Sequence, residues 1–131
     1  MHNHLRLYHK VKEQFQQWLP QERITRIRNM ALLVTGLYNS GEIYLSKIVS
    51  EWPIPGKDPS LFNRLWRFLD NKRVNVQKWY QPLAEQIVAR FTKMKRMFLL
   101  VDTTKVGFNH RVLAVGAVFK KRALPLGWTV T

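Results

Sequence analysis

The spacing of apolar residues changes near residue 95, and that change constrains the fold more than any other feature of the chain. Upstream, hydrophobic residues recur at helical intervals. Tyr8, Val11, Phe15 and Trp18 form one stripe, and Ile24, Ile27, Met30, Ala31, Val34 and Leu37 form another. Downstream, "MFLLV", "VLAVGAVF" and "ALPLGWTV" are short, continuous apolar runs, as expected of strands covered on both faces. A chain built this way is α+β, with helices first and a sheet after them.

Local signals punctuate the helical part. "WLPQE" separates the first two helices. At "NSGE", Asn39 and Glu42 stand at capping-box spacing and open a third helix carrying Ile43, Leu45, Ile48 and Val49. The prolines of "WPIPGKDPS" end it, and a fourth helix starts at Asp58 with Pro59 as its first helical residue. A fifth runs from about Asn75 to Thr92 with Trp79, Leu83, Ile87 and Phe91 on one side; Pro82 sits in its first turn or kinks it. The three apolar runs that follow form an antiparallel meander, with "TTKVGFNHR" as the first loop and "KKR" as the second turn. Pro125 then suits only an edge position or a bulge.

These boundaries predict a helical region over residues 1–92 and a three-stranded sheet over residues 93–131. About 35 residues do not bury both faces of such strands, so the sheet is expected to be the opening of a larger domain and to be loosely held by itself. The amino terminus, with His2, His4 and His9, is expected to be flexible. No internal repeat or low-complexity segment is present.

Charge narrows the partners. The 131 residues carry a formal net charge of +14, a field strong enough to concentrate polyanions. Duplex DNA is the first partner to consider. No apolar run approaches the ~20 residues of a membrane span, and the start of the chain lacks a secretory apolar region, so no membrane partner and a cytoplasmic location are expected. The absence of cysteine excludes disulfides and thiolate metal sites.

The fourth helix segregates its side chains. At ~100° per residue, Ser60, Asn63, Arg64, Arg67, Asp70 and Asn71 fall within an arc of roughly 120°, opposite Leu61, Phe62, Leu65, Trp66, Phe68 and Leu69. Paired with a helix from Glu42 to Trp52, it reads as the second helix of a helix-turn-helix-like unit. Arg64 and Arg67 would meet phosphates or guanine edges and Asn63 an adenine; the plainer reading is a solvated face. The tryptophans Trp18, Trp52, Trp66, Trp79 and Trp128 read as core rather than as base-stacking residues.

From Arg90 onward the chain has nine lysines and arginines (Arg90, Lys93, Lys95, Arg96, Lys105, Arg111, Lys120, Lys121 and Arg122) and one carboxylate, Asp102. An aspartate closing a buried strand points into a cleft beside the sheet, where it can hold a divalent cation against a phosphodiester. The alternative is a turn aspartate bonded to the backbone of Thr104. Lys105, Arg111, Lys120, Lys121 and Arg122 would neutralise DNA phosphates nearby, or else only keep the surface soluble.

The strings "LLVDTTKV", "VLAVGAVFKKRALPLGW" and "RLWRFLDNKRVNVQKWYQPLAEQI" resemble the N-terminal part of bacterial insertion-sequence transposases of the type-four family. That resemblance covers about residues 20–131 and implies a DDE catalytic domain with an RNase H-like fold. Asp102 would be the first acid of the triad and a Mg²⁺ ligand, on the first strand of the sheet. The helices before it would be the DNA-binding region, double-stranded transposon ends the partner, and the cytoplasmic location nucleoid-associated. The second Asp and the Glu lie farther along in the family, so this chain is expected to be inactive alone; Asp70 and Glu85 match no motif. Dimerisation of the intact transposase is left open. Two other readings stand beside this one: a non-catalytic DNA-binding module that acts as a transposition inhibitor, and a basic RNA-binding protein.

Overall fold

The computed structural model describes residues 2–94 and 96–131. It contains five helices, α1 (His2–Trp18), α2 (Ile24–Ser40), α3 (Leu45–Ser50), α4 (Asp58–Leu69) and α5 (Val76–Thr92), followed by strands β1 (Leu99–Val106), β2 (His110–Phe119) and β3 (Arg122–Val130). The α+β order is as expected. Two compact units divide the chain, Met1–Asn75 and Val76–Thr131. The division falls before α5 rather than at residue 92, because α5 packs against β3. Lys95 lies outside the described residues.

In the first unit, Tyr8 of α1, Ala31 and Leu32 of α2, Ile48 and Val49 of α3, Trp52, and Leu61 and Leu65 of α4 form one core. The tightest approach is at Gly36 on α2, where an added Cβ would lie 2.5 Å from the Ile48 carbonyl oxygen. The buried Thr35 hydroxyl donates to the Ala31 carbonyl at 2.7 Å, which satisfies it within the helix.

Three local expectations change here. Gly41, at φ 66, stops α2 with a left-handed cap whose N–H donates to the Leu37 carbonyl. Asn39 therefore lies inside α2, the capping box with Glu42 does not form, and α3 begins only at Leu45, leaving Ile43 84% exposed. The amino terminus is helical from His2 rather than flexible, and His4 Nδ1 lies 3.7 Å from Glu51 Oε2. In α4, which begins at Asp58 with proline in its first turn as expected, the core takes only Leu61, Leu65 and Phe68. Phe62, Trp66 and Leu69 are exposed, Trp66 by 57%, because the seam facing the other helices is narrower than the apolar arc.

In the second unit, Trp79 and Phe91 are the buried residues of α5, and the Phe91 and Phe119 rings meet edge-on with centroids 5.9 Å apart. Tyr80 packs against Trp128 at 5.1 Å and donates its hydroxyl to the Pro125 carbonyl. Pro82 lies in the helix interior, beyond the first turn. The sheet has the order β1-β2-β3, antiparallel throughout, as the meander requires. Its register slips between Val115 and Gly116, opposite Pro125 and Gly127, so Pro125 sits on an edge strand beside a bulge, as expected.

The first hairpin loop is much shorter than "TTKVGFNHR". Thr103 to Val106 pair with Leu113 to His110, and only residues 107–109 turn, with Gly107 at φ 64. Threonine and valine are strong strand formers, and a left-handed glycine suffices for the reversal. The second turn places Lys120 and Lys121 at φ 48 and φ 64, the geometry that Asn-Gly normally occupies. Every residue of β1 is exposed, including Leu99, Leu100 and Val101. No helix of the described residues is long and apolar enough to cross a membrane.

Two predictions follow from the packing. Gly36→Ala overpacks the α2–α3 contact and is expected to cost about 1–3 kcal/mol, measured by urea unfolding; an unchanged midpoint would mean that the helices separate freely. Burial raises the Tyr80 hydroxyl above its ordinary value of 10.0. Folding therefore favours the protonated phenol, and its contribution is complete below pH 10, then lost as the pH rises through 10 and through the raised folded value. Tyr80→Phe should flatten the fall in stability above pH 10.

Candidate nucleic-acid interface and the Asp102 strand

Arg64, on α4, directs its Nε–H to the Oδ1 of Asn29 on α2 at 2.8 Å, and both side chains are half-buried. Arg67, on the same flank of α4, donates from Nε to the Asn63 carbonyl at 3.3 Å. Beyond the end of α4, Asn71 Oδ1 accepts the Arg73 backbone N–H at 3.0 Å, a local turn at the point where the chain leaves the helix. With Arg23, Thr25 and Arg26 from the start of α2, these residues line an open cleft of about 440 Å³ floored by Phe68.

The electrostatics of this cleft are one-sided. Arg26 Nη1 pairs with Glu22 Oε1 at 2.9 Å, and Glu22 also accepts the Arg23 backbone N–H at 3.2 Å. Among the described residues the other basic side chain close to a carboxylate is His4, beside Glu51, so Arg23, Arg64, Arg67 and Arg73 have no carboxylate partner. Four uncompensated guanidinium groups converge there, beside the positive end of the α2 dipole. The arrangement attracts anionic oxygens.

The structure brings Arg64 and Arg67 together, as the α4 stripe implies, but Asn63 is exposed outside the cleft. α3, of only six residues, does pack against α4 as expected, but the second wall of the cleft is α2. Arg23, Arg26, Asn29 and Arg73 were not anticipated. A signal for three of them exists: in "RITRIRN", Arg23, Arg26 and Asn29 recur every third residue, one stripe of a helix.

The sheet's five basic candidates do not form one patch. Lys105 faces Arg111 directly across the β1–β2 ladder at one end of β2, whereas Lys120, Lys121 and Arg122 surround the hairpin at its other end. By strand rise those ends lie about 30 Å apart. All five are exposed, and Lys120 Nζ lies 5.4 Å from the Phe119 ring centroid.

Asp102 lies in the middle of β1, opposite Ala114, rather than at the end of a buried strand, because β1 continues through "TTKV". It is exposed, and its Oδ1 accepts the backbone N–H of Thr103, not of Thr104, at 2.8 Å. Lys105, three residues on, projects from the opposite face of the strand. Among the described residues no group of three or more His, Cys, Asp or Glu side chains is placed to hold a metal ion. Asp102 is thus one prospective ligand, and these residues do not complete a Mg²⁺ site.

Comparison with family models, curated proteins and solved structures returns no match to this chain.

An exposed carboxylate with one local hydrogen bond contributes little to folding. Asp102→Asn is expected to change stability by no more than about 0.5 kcal/mol in urea unfolding. A much larger loss would mark Asp102 as a structural residue.

Proposed function

We propose that the chain is the N-terminal part of a DDE transposase. Its helical unit binds double-stranded DNA, and Asp102 is the first acid of the triad, on the first strand of an RNase H-like domain. The observation that carries the DNA-binding half is the convergence of Arg23, Arg64, Arg67 and Arg73, without carboxylate partners, on one cleft of a chain with net charge +14. The catalytic half rests on the resemblance of the strand-Asp-Thr string and its following hairpin. It is compatible with the order of the helices and the meander, and with the accessibility of the carboxylate.

In this reading the intact enzyme cleaves and joins DNA with Mg²⁺, Asp102 supplies one carboxylate, and the remaining acids are not among the described residues. By itself, the chain then acts as a DNA-binding module.

Generic duplex DNA is expected to bind with a log affinity that falls linearly with log salt, at about −0.9 per neutralised phosphate. Fluorescence anisotropy over a salt series measures this, with structured RNA as competitor. A flat salt dependence, or preferential displacement by RNA, would reject the DNA reading. In an intact relative carrying this N-terminal sequence, Asp102→Asn should abolish strand cleavage while end binding persists. Unimpaired cleavage would remove Asp102 from the metal site.

A further inference from the structure

We infer that the cleft between the start of α2 and the end of α4 seats the sugar-phosphate backbone of duplex DNA. One phosphate lies on Arg64, and Asn29 is the positioning residue that aims it. The inference rests on the DNA-binding reading above and specifies where and how the backbone is held.

The geometry at Arg64 is that of an oriented fork. A guanidinium donates from Nε and from two terminal nitrogens. Asn29 Oδ1 takes the Nε–H at 2.8 Å, which leaves the terminal nitrogens as the outward edge of the group. That edge matches two oxygens of a phosphate in a bidentate contact. A side chain already pinned at Nε loses less conformational freedom when the ligand arrives. Because Arg64 is half-buried, the contact forms where water screens it less than at the open surface.

The lining fits the same ligand. The chain has as many lysines as arginines, yet every cation lining this cleft is an arginine: Arg23, Arg26, Arg64, Arg67 and Arg73. They come from three separate segments and meet only through the fold. Arg26 is neutralised by Glu22, and Glu22 itself does not line the cleft. Arg23, Arg67 and Arg73 remain to meet phosphates on either side of the one at Arg64. Asn63, the side chain expected to read adenine, is not part of the lining. The seat's arginines meet phosphates and so fix register on the duplex.

The test uses the full chain and two duplexes of unrelated sequence, with affinity measured by anisotropy over a salt series. Arg23→Ala and Arg73→Ala alter exposed side chains outside α4. Each is expected to weaken binding equally on both duplexes and to reduce the salt slope by about 0.9. Asn29→Ala removes no charge, and is expected to lower affinity roughly threefold to tenfold with the slope unchanged. Arg64→Lys should behave similarly, since lysine keeps the charge but neither the fork nor the Nε contact. Thermal melting verifies that each variant is folded, and Arg23→Ala and Arg73→Ala decide the matter even if Asn29→Ala does not fold. Wild-type affinity and slope in Arg23→Ala and Arg73→Ala, with the wild-type chain binding DNA, overturn the seat and leave the DNA-binding reading intact. A wild-type chain that binds neither duplex overturns both.

Discussion

Ala31, Thr35 and Gly36 leave α2 with little side-chain volume along one face, and the first unit is arranged around that face. All three are buried, and the absence of a Cβ at Gly36 is what lets the α3 backbone pass at the Ile48 carbonyl. Ala31 and Leu32 then share a core with Tyr8, Ile48, Val49 and Leu65, so α1, α3 and α4 all meet α2. Asn29 precedes these residues on the same central helix, half-buried where α4 comes alongside. The Asn29–Arg64 hydrogen bond forms where α4 packs beside α2, with Ala31, Leu32 and Leu65 in one core. A change that separated α2 from α4 in that core would move the partner that orients Arg64.

That dependence links stability to binding in a particular sense. Four guanidinium groups without carboxylates repel one another, and the folded unit tolerates them because they border solvent at an open cleft rather than lying in the core. An approaching polyanion relieves that repulsion. Across β1 and β2 the same sign of charge is handled differently. Lys105 and Arg111 stand directly opposite each other, and the two lysines of the second turn adopt left-handed backbone angles that glycine would occupy with less strain.

Much of the architecture was legible where a residue has one dominant physical effect. Pro59 fixed the start of α4, Pro125 marked an edge strand with a bulge, and the loss of helical spacing near residue 95 separated helix from strand. The errors lie where two signals compete. The Asn39–Glu42 spacing resembles a helix start, but Gly41 is a stronger stop for α2. Threonines after Asp102 resemble a turn, but they are equally good in a strand, and Gly107 supplies the turn farther on. The helical spacing of Arg23, Arg26 and Asn29 was visible, yet nothing local to it shows that α2 lies beside α4; that follows from the core that Ala31 and Leu32 share with Leu61 and Leu65. Trp66 shows the converse limit, since an apolar arc on a helix does not reveal how wide a seam the neighbours will cover.

The central claim is that nucleic acid is held at the arginine cleft of the helical unit. Its most direct measurement is the ¹⁵N–¹H signal of each arginine side chain during titration with a short duplex. The account predicts that the Nε–H signals of Arg64 and Arg67 shift and become saturable early in the titration, together with those of Arg23 and Arg73, while Arg111 and Arg122 respond weakly. Saturable shifts confined to Arg111 and Arg122, with the cleft arginines unmoved, would place the nucleic acid on the sheet and contradict the account.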